Sequence, residues 1–461
     1  MQSHKVHTSP ANYPIGTLTL LIDYEGFRVT APDILRSKAL PTVNPARENA
    51  SKWLLNNLPF LGLAKIVRGA YEGNSLEVEL QFLKDRLAAN YQDSNALMDA
   101  ALILLVNNQV TRAVAMQKAA TRLNKNFQVR FGSGSDLRVL VLATVGDLMA
   151  NTPIEFLLEQ SNVEIIYHYV DHETVSLDDA PTHDIAFLAV GQSSENEPTL
   201  QNLKKLLRFC IKPVINGDPD KIGALTRLGV FRSLSSEVSI TAVPGVEQSR
   251  SELTQFHHTS RRSANIWGSF NFPIVARPLG THAGKGMKKI NDQADLDLYL
   301  LESDEPHFHI CPFINYQSAD GYFRKQRIVL IDGIPYPSHQ ATSKNWMVHY
   351  LNADMDKFED RRTDEANWFA NFHYFTHRHQ KAFKALHERI GLDYFGIDCA
   401  EAQDGTLLVF EVDVAMIVHA LDSELLFPYK RAAMNSLCSA FLDFLKRRSK
   451  LSLTLVRREA F

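Results

Sequence analysis

No stretch of about 18 consecutive apolar residues occurs in this sequence, so no membrane-spanning helix is expected. The opening residues, MQSHKVHTSPANYPIGTL, lack the apolar centre of a secretory signal. Cysteine is scarce, with four in 461 residues. Cys210, Cys311, Cys399 and Cys438 are far apart and include no CxxC pair. This excludes a zinc ribbon or a disulfide scaffold and fits reduced thiols in a cytoplasmic protein. Neither sign of charge is in excess: the formal net charge is -3 and both signs are mixed along the chain. A general nucleic-acid or membrane surface is therefore not expected, and any basic site must be local. Also missing are the Walker-type GxxxxGK[ST], the dinucleotide-binding GxGxxG and the zinc-protease HExxH. Without HExxH, His373, His377 and His379 read as part of a helix rather than as zinc ligands.

What is present is ordinary globular material, 45% hydrophobic and 22% charged, long enough for about two to four domains. Residues 1–45 form an unassigned arm. From 46 to 132 the apolar spacing turns helical, with Leu76, Leu80, Leu83 and Leu87 three to four residues apart. Residues 96–127 resemble a single tetratricopeptide-type helical hairpin, open to reading either as a bundle or as a separable reader of peptides. After the polar GSGSD the pattern becomes α/β. LRVLVLAT (137–144), DIAFLAV (184–190) and KPVIN (212–216) suit buried parallel strands, with helices over 152–160 and 200–210. This α/β segment is taken as 133–225. A long helix is expected over 368–390 and a covering helix over 429–448.

The most informative stretch is 395–413, FGIDCAEAQDGTLLVFEVD. Two alternating runs flank Asp404-Gly405, a dipeptide that favours a two-residue hairpin turn. With that turn, Asp398 falls opposite Glu411, and Asp413 falls on the same face opposite Gly396. Like charges opposed at about 5 Å require a cation or a proton between them. Three converging oxygen ligands point to a hard divalent ion such as Mg²⁺. A turn of another length would break this register and leave an ordinary solvated hairpin.

A second stretch, 272–290, reads FPIVARPLGTHAGKGMKKI. A strand ending at Arg277 runs into a loop where Gly280, Gly284 and Gly286 alternate with His282 and Lys285. Such a loop lets backbone amides wrap phosphate oxygens. HFHICPFINY (307–316) reads as a strand stopped by Pro312. Arg324, Lys325 and Arg327 crowd the start of another strand and suit an anionic substrate. The polar variety of 336–355, including His339 and Ser343, suits a loop that lines a site.

In this order, VINGDP, FPIVARPLGTHAGKG, PFI, RKQRIVLIDGIPYP and GID…FEVD, the motifs resemble the ATP-grasp superfamily, in the branch of glutathione synthetase and RimK-type ligases. The resemblance covers about residues 137–450. It implies an α/β and α+β chain: an ATP-grasp fold preceded by an all-α domain, with lobes at 226–312 and 313–461. It further implies ATP and Mg²⁺, and formation of an amide or peptide bond through an acyl phosphate. The substrates would be a small-molecule or peptide carboxylate and an amine, with a homodimer as a candidate assembly. A small-molecule kinase and a non-catalytic nucleotide-binding scaffold are the alternatives.

By this resemblance Arg277 and Arg227 are phosphate-binding cations, and the loop from Gly280 to Gly286 is a flap. Pro312, Phe313 and Ile314 form an adenine-reading hinge. Arg327 faces the γ-phosphate, Asn352 belongs to the substrate loop, and Asp398, Glu411 and Asp413 are metal ligands. Where the family has Asn this chain has Asp413, and where it has Lys this chain has Arg277. The segment after Asp413, VAMIVHALD, lacks the family's small-residue loop.

Overall fold

In a computed structural model, residues 58–255, 271–281 and 284–459 are described. The expected arm, the start of the helical region and His282 lie outside the described residues. The helical layer comprises α1 (Leu63–Tyr71), α2 (Leu76–Ala89), α3 (Ser94–Val106) and α4 (Val110–Leu123). Helix α3 is apolar nearly all round and buries ten of its residues, the pattern of a helix enclosed by others. It starts at Asp93, whose carboxylate caps the Ala96 N–H at 2.9 Å and pairs with the buried Arg86.

The first sheet has the order β1-β3-β2-β4-β5. Its strands are β1 (Asn126–Arg130), β2 (Leu137–Ala143), β3 (Val163–Tyr169), β4 (Ile185–Leu188) and β5 (Val214–Ile215). All are parallel except β1, which runs antiparallel to β3. Three features differ from expectation. Strand β3 went unread, although it pairs with both β1 and β2, and only Glu155–Leu158 (α5) is helical where 152–160 was expected. Strand β1 also lies within the stretch read as helical. Helices α6 (Glu197–Leu206), α7 (Pro219–Gly223) and α8 (Arg227–Leu234) follow in the chain.

The helical layer has no core of its own. Met98, Leu102 and Ile103 of α3 pack in one apolar cluster with Val139 and Val141 of β2. Phe441 and Phe444 of the last helix, α14 (Lys430–Glu459), belong to the same cluster. The helical layer therefore shares its core with the first sheet and the last helix. Two buried carboxylates hold the start of α1, Asp99 from within the helical layer and Glu155 from α5 across the layers. Asp99 accepts from the Leu61 and Gly62 N–H groups, and Glu155 accepts from those of Leu63 and Ala64 at the start of α1.

The second sheet, β7-β10-β8-β9, is antiparallel throughout. It consists of β7 (Val246–Ser249), β8 (Ile274–Pro278), β9 (Lys288–Ile290) and β10 (His307–Pro312), with α9 (Arg250–Gln255) and α10 (Gln293–Glu302) packed against it. The third sheet has the order β12-β11-β13-β14-β6. Its members are β6 (Ile240–Ala242), β11 (Phe323–Ile331), β12 (Ile334–Ser343), β13 (Tyr394–Glu401) and β14 (Leu407–Asp413). The expected helix over 368–390 is broken into α11 (Glu359–Ala370), α12 (Phe372–Arg378) and α13 (Gln380–Ile390). The breaks fall at Asn371 and His379, both near ψ 17° rather than helical values.

Candidate functional site

The hairpin β13–β14 brings Asp398 opposite Glu411 and Gly396 opposite Asp413. The turn, however, is not the two-residue one. The Gly405 N–H reaches the Ala402 carbonyl, Ala402 and Thr406 close the loop, and Gly405 takes φ 83° while Asp404 does not turn positive. This is a three-residue loop with glycine in the left-handed position. By itself it would set Asp398 against Phe410. A bulge between Asp398 and Cys399 inserts Phe410 and restores the pairing.

A polar row runs straight across four strands of the third sheet. His339 on β12 pairs with Arg327 on β11, Arg327 with Asp398 on β13, and Asp398 with Glu411 on β14. Strand alternation sends Ile397 and Cys399 into the apolar core on the opposite face. Arg327 grips Asp398 in a fork, Nε to Oδ1 at 2.8 Å and Nη2 to Oδ2 at 3.1 Å, and also donates to the Ile417 carbonyl at 3.2 Å. Lys325 approaches the same carboxylate, 2.6 Å from Oδ2. Despite its burial, Asp398 is held far below the usual carboxylate range by Arg327 and Lys325.

At the other end of the row, Arg227 donates to Glu411 Oε1 at 3.0 Å. Arg227 opens α8, and the Thr226 hydroxyl caps that helix by accepting the Gly229 N–H at 3.0 Å. Asp413 accepts the Ala415 N–H at 2.9 Å and has no ion pair among the described residues. Burial, with Glu411 beside it, pushes its carboxyl up to about 7.

The second sheet adds a facing pair. On β8 and β10, Ile274, Ala276, Phe308 and Ile310 point into the core, leaving Arg277 and His309 as cross-strand partners on the other face. Burial, then the charge of Arg227, lowers Arg277 to about 10. Burial and both arginines push His309 down to about 4. Arg277 also donates to the carbonyl and hydroxyl of Thr281 in the glycine loop. Gly280, Gly284 and Gly286 all take positive φ. A Cβ on Gly286 would meet Pro278 at 2.8 Å, so the loop folds against its own strand. Lys285 and Gly286 line a cavity of about 440 Å³ with Tyr299, Glu302 and Glu305.

The structure thus draws together Arg227, Arg277, Lys325, Arg327, His339, Asp398, Glu411 and Asp413. It does not bring Arg324 to them: that side chain pairs with Asp320 at 2.6 Å and Asp364 at 2.8 Å. Ser343 is buried and accepts the Asn345 N–H, while Asn352 accepts the His349 N–H, both serving local turns. At the segment 312–314, the Phe313 N–H is committed to the Pro273 carbonyl at 3.0 Å, so a hinge donor would have to be Ile314. Lys289 sits 3.8 Å above the Phe313 ring, with Trp346 against its edge.

His309, Lys289 and Trp346 were missed. Alternation in HFHICP marks both histidines as facing away from the core, but pairing β10 with β8, which sets His309 beside Arg277, crosses α10 and is not readable locally. As for a metal, Glu411 and Asp413 suit a hard cation, whereas both oxygens of Asp398 already hold charged donors. No cluster of three His, Cys, Asp or Glu side chains able to hold a metal ion occurs among the described residues.

A scan of protein-family models finds no match to this chain, and a search of curated proteins finds none. Among solved structures, a RimK domain ATP-grasp protein from Sphaerobacter thermophilus DSM 20745 is similar at 15% identity and TM-score 0.36, over 67% of this chain and 99% of that one. The D-alanine-D-alanine ligase from Coxiella burnetii is similar at 11% identity and TM-score 0.40, over 70% and 99%. The D-alanine–D-alanine ligase from Bacillus anthracis complexed with ATP is similar at 15% identity and TM-score 0.41, over 70% and 99%. The likeness is loose. No helix among the described residues is long and apolar enough to cross a membrane.

Proposed function

We propose that this chain is an ATP-dependent carboxylate–amine ligase of the ATP-grasp type. The observation that carries the reading is the polar row His339–Arg327–Asp398–Glu411, extended by Arg227 and faced by Arg277. Cations and carboxylates placed this way on two sheets suit a triphosphate lying between them. Arg277 and Arg227 would bind the phosphates, and the loop from Gly280 to Gly286 would close over them and exclude water. Ile314 would read the adenine edge.

In the reaction, a substrate carboxylate oxygen attacks the γ-phosphorus and the bond to the β-phosphate oxygen breaks, giving an acyl phosphate and ADP. An amine then attacks the acyl carbon, loses a proton, and expels phosphate as the amide forms. Arg327, fixed by Asp398 and the Ile417 carbonyl, would face the oxyanion that develops at this carbon. Magnesium, held by Glu411 and Asp413, would supply charge neutralisation for the phosphates. Positioning and charge account for such catalysis, and no enzyme nucleophile is required. The four cysteines are free and take no part.

The test is ADP release by the full chain with pools of carboxylates, with and without pools of amines. ADP formation that needs both, with a product mass equal to a condensation, supports the ligase. ADP formation with phosphorylation and no amine requirement would indicate a kinase, and no turnover with any pool would point to a scaffold.

A further inference from the structure

Lys325 stands where an ion would have to approach Asp398. Its Nζ lies 2.6 Å from Oδ2, and Arg327 holds Oδ1 at 2.8 Å and Oδ2 at 3.1 Å. The Asp398 side chain is only 4% exposed. A divalent cation could reach it only by expelling the ammonium, which has no other ion pair among the described residues. Two positive donors on one buried carboxylate already satisfy its charge, so a third cation would meet repulsion and gain little.

The neighbouring carboxylates differ. Glu411 gives one oxygen to Arg227 and remains about one-third exposed, at 33%. Asp413 takes backbone N–H groups, Ala415 on Oδ1 among them, and has no ion pair among the described residues. We infer that Lys325 is a built-in cation, its ammonium neutralising Asp398 in place of a divalent ion, so that the cleft takes metal through Glu411 and Asp413 alone. Asp398 then works as a positioning residue for Arg327, not as a metal ligand. This rests on reading the cleft as a nucleotide site.

The test uses full-length protein, Mn²⁺ followed by electron paramagnetic resonance, and a non-hydrolysable ATP analogue whose binding is measured separately by calorimetry. The wild type is expected to bind one Mn²⁺ per bound nucleotide. Lys325→Met, which leaves Arg327 on Asp398 and so keeps that carboxylate paired, is expected to gain a second ion or to bind Mn²⁺ at least about tenfold more tightly. Lys325→Arg keeps the charge and should behave as the wild type. Glu411→Gln should lose the ion. Two ions per nucleotide in the wild type, or no change in Lys325→Met with nucleotide still bound, would overturn the inference while leaving the nucleotide reading intact. Absence of nucleotide binding in the wild type would overturn both.

Discussion

The side-chain amide of Asn216 brackets the backbone of Tyr394, donating to its carbonyl at 2.7 Å and accepting its N–H at 2.9 Å. Asn216 follows β5 of the first sheet, at φ 54°, and Tyr394 opens β13 of the third. The strand that carries Asp398 is thereby tied to a segment 178 residues earlier. Replacing Asn216 by Ala strands two buried backbone groups and is expected to cost about 2–5 kcal/mol. Urea denaturation at neutral pH measures it; a loss under 1 kcal/mol would show that the bracket contributes little.

Glu411→Gln keeps the size of a partly exposed side chain and removes its charge, so the fold should persist. Turnover is expected to fall by about 100-fold or more, since Arg227 and any bound cation lose their shared carboxylate. Activity within a few-fold of wild type in a folded variant would exclude Glu411 from the site.

His309 gives the site a pH signature. Held neutral by burial and by Arg227 and Arg277, it protonates near 4 in the folded chain, against about 6.5 when unfolded. Between those values the unfolded state binds the extra proton, so folding stability falls as pH drops from about 6.5 to 4 and is unaffected above. The loss is about 3 kcal/mol at most. Denaturation at pH 7 and pH 4.5 should show a steeper loss for wild type than for His309→Gln; equal losses would exclude this histidine as the cause.

Removing residues 1–123 should leave insoluble or misfolded protein, because α3 lies in one core with β2 and α14. A soluble, cooperatively unfolding remainder would show instead that the α/β layers stand alone.

The sequence showed much of this site, in part by compensation. Asp398 meets Glu411 as the two-residue turn would dictate, yet the turn has three residues and the Phe410 bulge supplies the correction. Hairpin periodicity carries the facing of side chains, while a bulge leaves no mark in a run such as LLVFEVD. Arg277 was legible because a glycine-rich loop follows it directly. The partners of Lys325 were not: cation crowding in RKQR marks the strand, but only alternation and pairing separate Lys325 and Arg327, on the site face, from Arg324, which turns to Asp320 and Asp364. The sheet that covers the helical layer was not legible, because helical spacing reveals an apolar face and not what covers it.

Isotope transfer tests the central claim most directly. With a pool of carboxylates labelled with ¹⁸O in the carboxyl group, ATP and an amine pool, attack of the carboxylate on the γ-phosphorus places one labelled oxygen in the released phosphate. One ¹⁸O per phosphate, in step with ADP, is the expected result. Phosphate free of label, alongside ADP formed at the same rate, would contradict an acyl-phosphate ligase.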